Sequence, residues 1–338
     1  MTTKDQERTP SRPAGSPPTS DGPARMEPTP VMASRTYLFL RLSVVAVIAV
    51  LAVSLIKDYY RPDPNCLQGS ISAYYYTAVQ SVFVGALVAL GLVFIVLWGK
   101  TPGEDAWLNL AGLVAPVVAF VPTVKPTKCG LTDLTGEEVT TDAQKSDVVD
   151  AGHDAAFNNM LSYFIVVGVI LVVLYLVGSL GRQRKRKWVV VQPWAFWGPL
   201  LGATALWVIS VYVFWQHRDW FYDNAHNWSA TTFFIFFGIA VVIIGKNKWF
   251  GSDDYGEKES KRWATVYWGI AALMIVGGLV IYFVGKDSEH RTFVLEAYEI
   301  ALLAAFWLLQ TWDRRGEGAP PRTQGEIKQL QEAQASQT

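Results

Sequence analysis

The stretch NNMLSYFIVVGVILVVLYLVGSLGRQRKRK, residues 158–187, decides the fold class of this chain. Residues 160–180 are almost entirely apolar, and five Lys and Arg residues follow them within residues 182–187. An apolar run of about 20 residues is long enough to cross the ~30 Å hydrocarbon layer of a bilayer as a helix. Basic residues directly after such a run favour the cytoplasmic side. The stretch therefore predicts a transmembrane helix that ends in the cytoplasm.

The rest of the chain repeats this arrangement of apolar blocks and short polar connections. Of its 338 residues, 51% are hydrophobic and 17% are charged, whereas a soluble domain averages about 25% charged residues. We predict an all-α, polytopic transmembrane helical bundle with eight spans, which together form one membrane domain over residues 35–313. The predicted spans are residues 37–56, 78–98, 106–124, 158–180, 193–215, 228–245, 264–285 and 292–312.

The distribution of Lys and Arg orients this bundle. With the N-terminus and the C-terminus in the cytoplasm, the inner segments hold 20 of these residues and the outer loops hold 8. This excess of positive charge on one side is the usual determinant of membrane topology. The formal net charge is zero, so we expect no nucleic-acid partner. The expected partners are membrane lipids, with another membrane protein as an open alternative, and the expected location is a bacterial plasma membrane.

The two ends of the chain have the composition of disordered segments. Residues 1–34 carry seven prolines and many polar residues, so they cannot bury enough apolar surface to fold. We predict a disordered cytoplasmic tail there, and a second, mostly disordered cytoplasmic tail at residues 314–338. The first apolar run is interpreted as an uncleaved signal anchor, with cleavage after Ala52 as the alternative.

The two cysteines, Cys66 and Cys129, both fall in predicted outer loops. Disulfides persist on that side of a plasma membrane. We therefore predict a Cys66–Cys129 disulfide that ties the first two outer loops together. Two unpaired thiols are the alternative.

Two carboxylates in the last span are costly residues for a membrane. A charged side chain in the hydrocarbon layer costs about 2.5 kcal/mol or more, so it usually faces protein or a water-filled cavity. Glu296 and Glu299 are three residues apart and share one face of the helix. The functional interpretation is a pair that binds a ligand or carries a proton. The structural interpretation is a hydrogen-bonding anchor between helices.

Further polar residues near the starts of spans 2, 4 and 6 converge on the same outer face. We predict an outward-facing polar pocket that binds a lipid or a small molecule, with no cofactor and no assigned catalytic residue. Two alternatives stay open: a proton-coupled transporter that uses Glu299, and a metal-dependent lipid hydrolase that uses His153, Asp154, His226 and Glu299. The candidate residues of the pocket are Ser72, His153, Asp154, Asp223, His226, Glu296 and Glu299.

Short strings give two family resemblances. SISAYYYT at 70–77 with VFVG at 82–85 resembles the beginning of a group of uncharacterised multi-span membrane proteins of actinobacteria, and LEAYEIA at 295–301 with FWLLQT at 306–311 resembles their last span. This resemblance covers residues 37–312 and implies a fold but no activity. The chain is also faintly similar to the membrane hydrolases of the ceramidase and progestin-receptor superfamily, which place Ser, Asp and three His at one membrane face. The spacing of His residues and the number of spans differ from that superfamily.

Overall fold

Eight α-helices and one short 3-10 turn form the part of the chain that the computed structural model describes, which comprises residues 30–61, 65–122, 139, 141–183, 193–251 and 259–315. Each predicted span coincides with one helix, and no strand occurs in these residues, so the all-α prediction is confirmed. The 3-10 turn covers Ser72–Tyr76. The helices are α1 (Pro30–Tyr59), α2 (Gln80–Val96), α3 (Pro102–Phe120), α4 (Asp142–Gln183), α5 (Pro193–Gln216), α6 (Arg218–Phe250), α7 (Lys261–Val284) and α8 (Arg291–Asp313).

Six of the helices, α1 and α4 to α8, are long and apolar enough to cross a membrane. The apolar helix α2 has 17 residues and falls just short of that length. The helix α3 has 19 residues but carries Glu104 and Asp105 in its first turn. The chain is therefore a multi-span helical membrane protein. Six helices meet the requirements of length and apolar composition, whereas the assignment of α2 and α3 as spans needs a further argument.

Six helices close into a ring. The order of neighbours around it is α1, α2, α3, α6, α7 and α8, and α8 packs back on α1. The main core fills this ring, where the Phe94 side chain lies against Phe233, Phe237 and Trp307 with ring centroids 5.5–5.9 Å apart. The helices α4 and α5 pair outside the ring and pack on α3.

The position of α3 explains why it is less apolar than its neighbours. It is covered by α2 and α6 within the ring and by α4 and α5 outside it, so little of its surface meets lipid. Ala111, Ala115 and Ala119 are fully buried along one face, and small residues of this kind let neighbouring helix backbones approach closely in membrane proteins. A helix covered on several sides in this way does not need the hydropathy of a lipid-facing helix.

Two of the predicted loops are partly helical, which corrects the sequence-based boundaries. The helix α4 begins at Asp142, although residues 125–157 were predicted as a loop. Its first turn is capped by Thr141 and Gln144, whose side chains bond each other's backbone amides at 3.3 and 3.1 Å. The helix α6 begins at Arg218, so the predicted loop at 216–227 is almost entirely helical. Helix α1 also begins earlier than predicted, at Pro30.

Several predictions fall outside the described residues. They concern the two tails, at 1–29 and 316–338, residues 125–138 and 140 of the predicted loop at 125–157, and the basic cluster after residue 183. Cys129 lies there too, so the disulfide with Cys66 stays a prediction.

Candidate functional site

The carboxylate of Glu296 holds the 3-10 turn against the start of α8. One carboxylate oxygen accepts hydrogen bonds from the backbone amides of Ile71 and Ser72, at 2.5 and 3.4 Å. The other accepts from the Ser72 hydroxyl at 3.2 Å. Ser70 completes the cluster, because its hydroxyl is 3.0 Å from that of Ser72 and accepts from the Ala73 amide. This geometry favours the structural interpretation of Glu296, a hydrogen-bonding anchor, although the carboxylate joins α8 to the 3-10 turn and not to another long helix.

The loop before the 3-10 turn is bound to α8 by its backbone as well. The Phe293 amide donates to the carbonyl of Gly69 at 2.9 Å, and the His290 ring nitrogen Nδ1 lies 3.3 Å from the carbonyl of Gln68. The turn itself is packed tightly, since Tyr74 and Tyr75 are at most 3% exposed. Burial raises the pKa of the Tyr75 phenol, although a hydrogen bond with Gln80 partly opposes the shift.

A small internal cavity of about 60 Å³ lies beneath this cluster. Ser72, Glu296 and His226 line its polar side, and Ile71 and apolar residues of α1, α2, α3, α6 and α8 line the rest. His226 is only 3% exposed, and its Nδ1 atom is 2.8 Å from the carbonyl of Val121 at the end of α3. The cavity therefore brings together three of the seven predicted pocket residues.

A larger groove of about 820 Å³ runs between α6, α7 and α8. Its polar lining lies towards the start of α8 and includes Asn227, Arg291 and Thr292, whereas Val242 and Met274 belong to its apolar part. Asn227 and Val242 are fifteen residues apart on α6, which corresponds to roughly 22 Å of helix. The groove is therefore long enough to run through more than one leaflet of a ~30 Å hydrocarbon layer.

Glu299 lies in the wall of this groove, one turn below Glu296. Its side chain is 8% exposed, and its Oε2 atom has no hydrogen-bond partner among the described residues. Its Oε1 atom would be 3.0 Å from a Cβ atom at Gly278, so the absence of a side chain on α7 makes room for the carboxyl group. An unpartnered buried polar atom is costly, which makes Glu299 the residue of the site that most needs a partner.

The other three candidates lie apart from both cavities. His153 stacks on Tyr222 with ring centroids 4.8 Å apart, and Asp154 and Asp223 are exposed to solvent on α4 and α6. The described residues contain no group of three or more His, Cys, Asp or Glu side chains that could hold a metal ion. The hydrolase alternative therefore lacks a ligand set in that part of the chain.

The opposite end of the bundle contains a buried charge network that the sequence analysis missed. Glu104 is fully buried and lies 3.3 Å from the guanidinium of Arg314. The same carboxylate accepts hydrogen bonds from the Asn247 side chain at 2.8 Å and the Lys100 amide at 3.0 Å. Asn247 also donates to Thr101, the N-cap of α3, at 3.0 Å. One carboxylate thus joins the start of α3 to the ends of α6 and α8.

A second ion pair lies beside the first. Lys248 and Asp313 approach to 3.0 Å, and each side chain is only 4% exposed. The Tyr267 hydroxyl donates at 2.8 Å to the same carboxylate oxygen, Oδ2 of Asp313, that lies 3.0 Å from the Lys248 ammonium. Lys248 and Asp313 lie at or near helix ends, so in the sequence they resemble ordinary charged residues that flank a membrane span. Only the T-P-G-E string at 101–104, a capping-box pattern, signals that Glu104 is tied into structure.

Comparison with family models, with curated proteins and with solved structures finds no match to this chain. The fold and the two polar clusters accordingly define its class, a multi-span helical membrane protein with a buried polar cluster at each end of its helix ring. A more specific role has to be argued from the groove and the clusters themselves.

Proposed function

We propose that this protein binds one amphiphile, a membrane lipid or a lipid-like molecule, in the groove between α6, α7 and α8. The observation that carries this proposal is the polarity of the groove. Its apolar part matches an acyl chain, and Arg291, Glu296 and Glu299 offer hydrogen-bonding partners to a head group near the membrane surface. A groove open along the sides of membrane-spanning helices is reached directly from the lipid.

The proposal includes the predicted topology of eight spans with both chain ends in the cytoplasm of a bacterium. Hydrogen bonds support the proposal that α2 and α3 each cross the membrane. The 3-10 turn, which precedes α2, contacts the start of α8 through Glu296, whereas the start of α3 contacts the end of α8 through Glu104 and Arg314. The chain between these two points, α2, therefore runs the length of the bundle, and α3 returns beside it.

Filling the groove with a side chain tests this function. Gly238 lines the groove, and a Cβ atom there would meet no atom within 4 Å. We expect Gly238→Leu to fold normally but to occupy the space of the acyl chain. Native mass spectrometry of protein purified in mild detergent should show one retained phospholipid fewer than in the wild type.

Gly269→Leu is the matched control for that experiment. Gly269 is exposed on α7, lies outside the groove, and likewise has no atom within 4 Å of a Cβ position. This variant should retain as many lipids as the wild type. Equal lipid retention by all three proteins would contradict the proposal.

The transporter alternative is supported by one observation: the groove reaches Glu299, as a proton carrier near the outer side would require. On α6, however, the groove lining stops at Val242, six residues before Lys248 in the buried network. Because that network ties the helix ends together beyond the groove, we favour a binding site that opens sideways over a path through the bundle.

A further inference from the structure

A third cavity, of about 600 Å³, lies at the end of the bundle opposite Glu296. It opens where α7 begins and α8 ends. Its lining combines two arginines and two tryptophans with one aliphatic and one acidic residue. The lining residues are Arg262, Trp263, Leu309, Trp312, Asp313 and Arg315. Nothing in the groove proposal uses this pocket, which we call the Arg–Trp pocket.

The positive charge of the Arg–Trp pocket is uncompensated within the described residues. Asp313 is committed to Lys248 and Tyr267, so its negative charge is already balanced inside the bundle. Arg262 and Arg315 are both exposed, and neither forms an ion pair in the described part of the chain. Two guanidinium groups therefore flank the pocket with a net charge of +2.

The remaining lining residues place the pocket at a membrane surface. Tryptophan is enriched where head groups meet hydrocarbon, and Trp312 is 65% exposed with the Arg315 guanidinium 4.4 Å from its ring centroid. Leu309 lies one turn deeper on α8 and gives the pocket an apolar inner wall. Cations thus lie at the surface end of the pocket, and an apolar side chain lies at the membrane end.

We propose that the Arg–Trp pocket binds the phosphate group of an anionic membrane lipid. Arg262 and Arg315 donate charge-assisted hydrogen bonds to the phosphate oxygens, for which a guanidinium has the matching geometry. The first part of an acyl chain lies against Leu309 and Trp312. Under the proposed topology this end of the bundle faces the cytoplasm, whose leaflet carries anionic lipids in many membranes. Which leaflet supplies the lipid depends on that topology, but recognition of the phosphate does not.

Binding there also stabilises the buried network. The pocket shares Asp313 with the Lys248 pair, and Arg315 directly follows Arg314, the partner of Glu104. A lipid held by Arg262 and Arg315 links the start of α7 to the end of α8, where the network joins these helices to α3 and α6. We therefore expect an anionic lipid to raise the temperature at which the protein unfolds.

The test compares two double variants of the full chain in mild detergent. Arg262→Gln with Arg315→Gln removes both pocket cations. Lys246→Gln with Lys261→Gln removes the same charge at the same end of the bundle, but from residues outside the pocket lining. Binding of phosphatidylglycerol and of phosphatidylcholine with identical acyl chains is measured by native mass spectrometry, and thermal unfolding is followed with and without each lipid.

We expect the wild type and the Lys246/Lys261 variant to prefer phosphatidylglycerol, and the Arg262/Arg315 variant to bind it about tenfold more weakly. All three should unfold at the same temperature without added lipid. Equal losses of phosphatidylglycerol affinity in the two double variants would overturn the proposal, and so would a wild type that does not prefer phosphatidylglycerol to phosphatidylcholine. Displacement of the bound lipid by millimolar glycerol phosphate would also overturn it, because the site would then recognise a soluble phosphate.

Discussion

At the scale of single residues, Glu104 has a buried carboxylate that must be both paired and hydrogen-bonded. Its carboxylate is removed from water and is balanced by the Arg314 guanidinium, the Asn247 amide and the Lys100 backbone amide. A buried charge is tolerated only when it is paired and fully hydrogen-bonded. Removing the carboxylate would break this buried pair, since the Arg314 side chain is only 4% exposed and lies 3.3 Å from Glu104.

We therefore expect Glu104→Ala to destabilise the protein by about 3–5 kcal/mol. The measurement is unfolding by sodium dodecyl sulfate in mixed micelles, followed by circular dichroism. The control is Glu259→Ala, which removes a surface carboxylate 3.6 Å from Lys261, where an exposed pair contributes about 0–1 kcal/mol. Unfolding of both variants at the same detergent fraction would show that the Glu104 network carries little stability.

The sequence indicated the buried polar residues near the start of α8 well and those of the charge network at the opposite end poorly. Glu296 and Glu299 stand out because two carboxylates inside an apolar run have a recognisable cost. Lys248 and Asp313 are just as buried, but they lie at helix ends, where charged residues normally reach water. Their burial depends on how α6, α7 and α8 pack, and a single sequence does not contain the crossing angles of its helices.

At the scale of the elements, α2 and α3 cross at a point of backbone contact. A Cβ atom at Gly91 would lie 2.7 Å from the carbonyl oxygen of Gly112, and one at Gly112 would lie 2.6 Å from the carbonyl oxygen of Gly91. Both distances are shorter than real side chains show, so each glycine requires the other. This crossing fixes the distance between two neighbouring helices of the ring.

Gly91→Ala should accordingly separate α2 from α3 and cost about 1–3 kcal/mol, the usual cost of an overpacked core. Gly85→Ala on the same helix is the control, because a Cβ atom there meets nothing within 4 Å. Since alanine favours a helix over glycine by up to about 1 kcal/mol, the control should be neutral or stabilising. Thermal unfolding of both variants in detergent measures this difference, and equal shifts of the same sign would argue against a close crossing.

The elements themselves were largely predictable, because long apolar runs identify membrane helices by length alone. The starts of α4 and α6 were not, because a polar stretch outside the lipid gives no periodic apolar signal. A local clue exists at α4: Thr141 and Gln144 have the spacing of a capping box, and their side chains bond as that motif requires. At α6, His217 caps no amide with its side chain, and the sequence there carries no comparable clue.

At the scale of the whole molecule, the proposed orientation can be tested with single cysteines. In a chain with Cys66 and Cys129 replaced by serine, Ser20→Cys and Ser336→Cys report on the two tails, and Ser288→Cys reports on the last outer loop. A membrane-impermeant maleimide applied to intact cells should label only the cysteine at residue 288. All three should react after permeabilisation.

Labelling of both tails but not of residue 288 would show that the molecule has the opposite orientation. The Arg–Trp pocket would then face the outer leaflet. Labelling of one tail alone would mean an odd number of spans. Either result would contradict the proposed topology, and neither would change the fold of the ring.

The ring as a whole could not be predicted from the sequence. Apolar runs predict the number of helices and charge bias predicts their orientation, but neither indicates that α8 packs on α1 or that α4 and α5 lie outside the ring. The convergence of Ser72, His226 and Glu296 on one cavity was predicted from a shared side of the membrane alone. His153, Asp154 and Asp223 met the same criterion, yet they lie elsewhere, because a shared side does not fix the neighbours of a helix.

The early start of α4 has a practical consequence for imaging this molecule. Residues 142–157 continue the helix for roughly 24 Å before its most apolar part begins, and Gly152 packs against Tyr76 of the buried 3-10 turn. In a detergent micelle, particles of a 37.5 kDa chain offer little contrast for alignment in electron microscopy. Because residues 142–157 belong to a predicted outer loop, we expect this part of the helix to lie outside the micelle and to supply an asymmetric landmark. It is also the natural place to graft a rigid fusion partner or raise an antibody fragment.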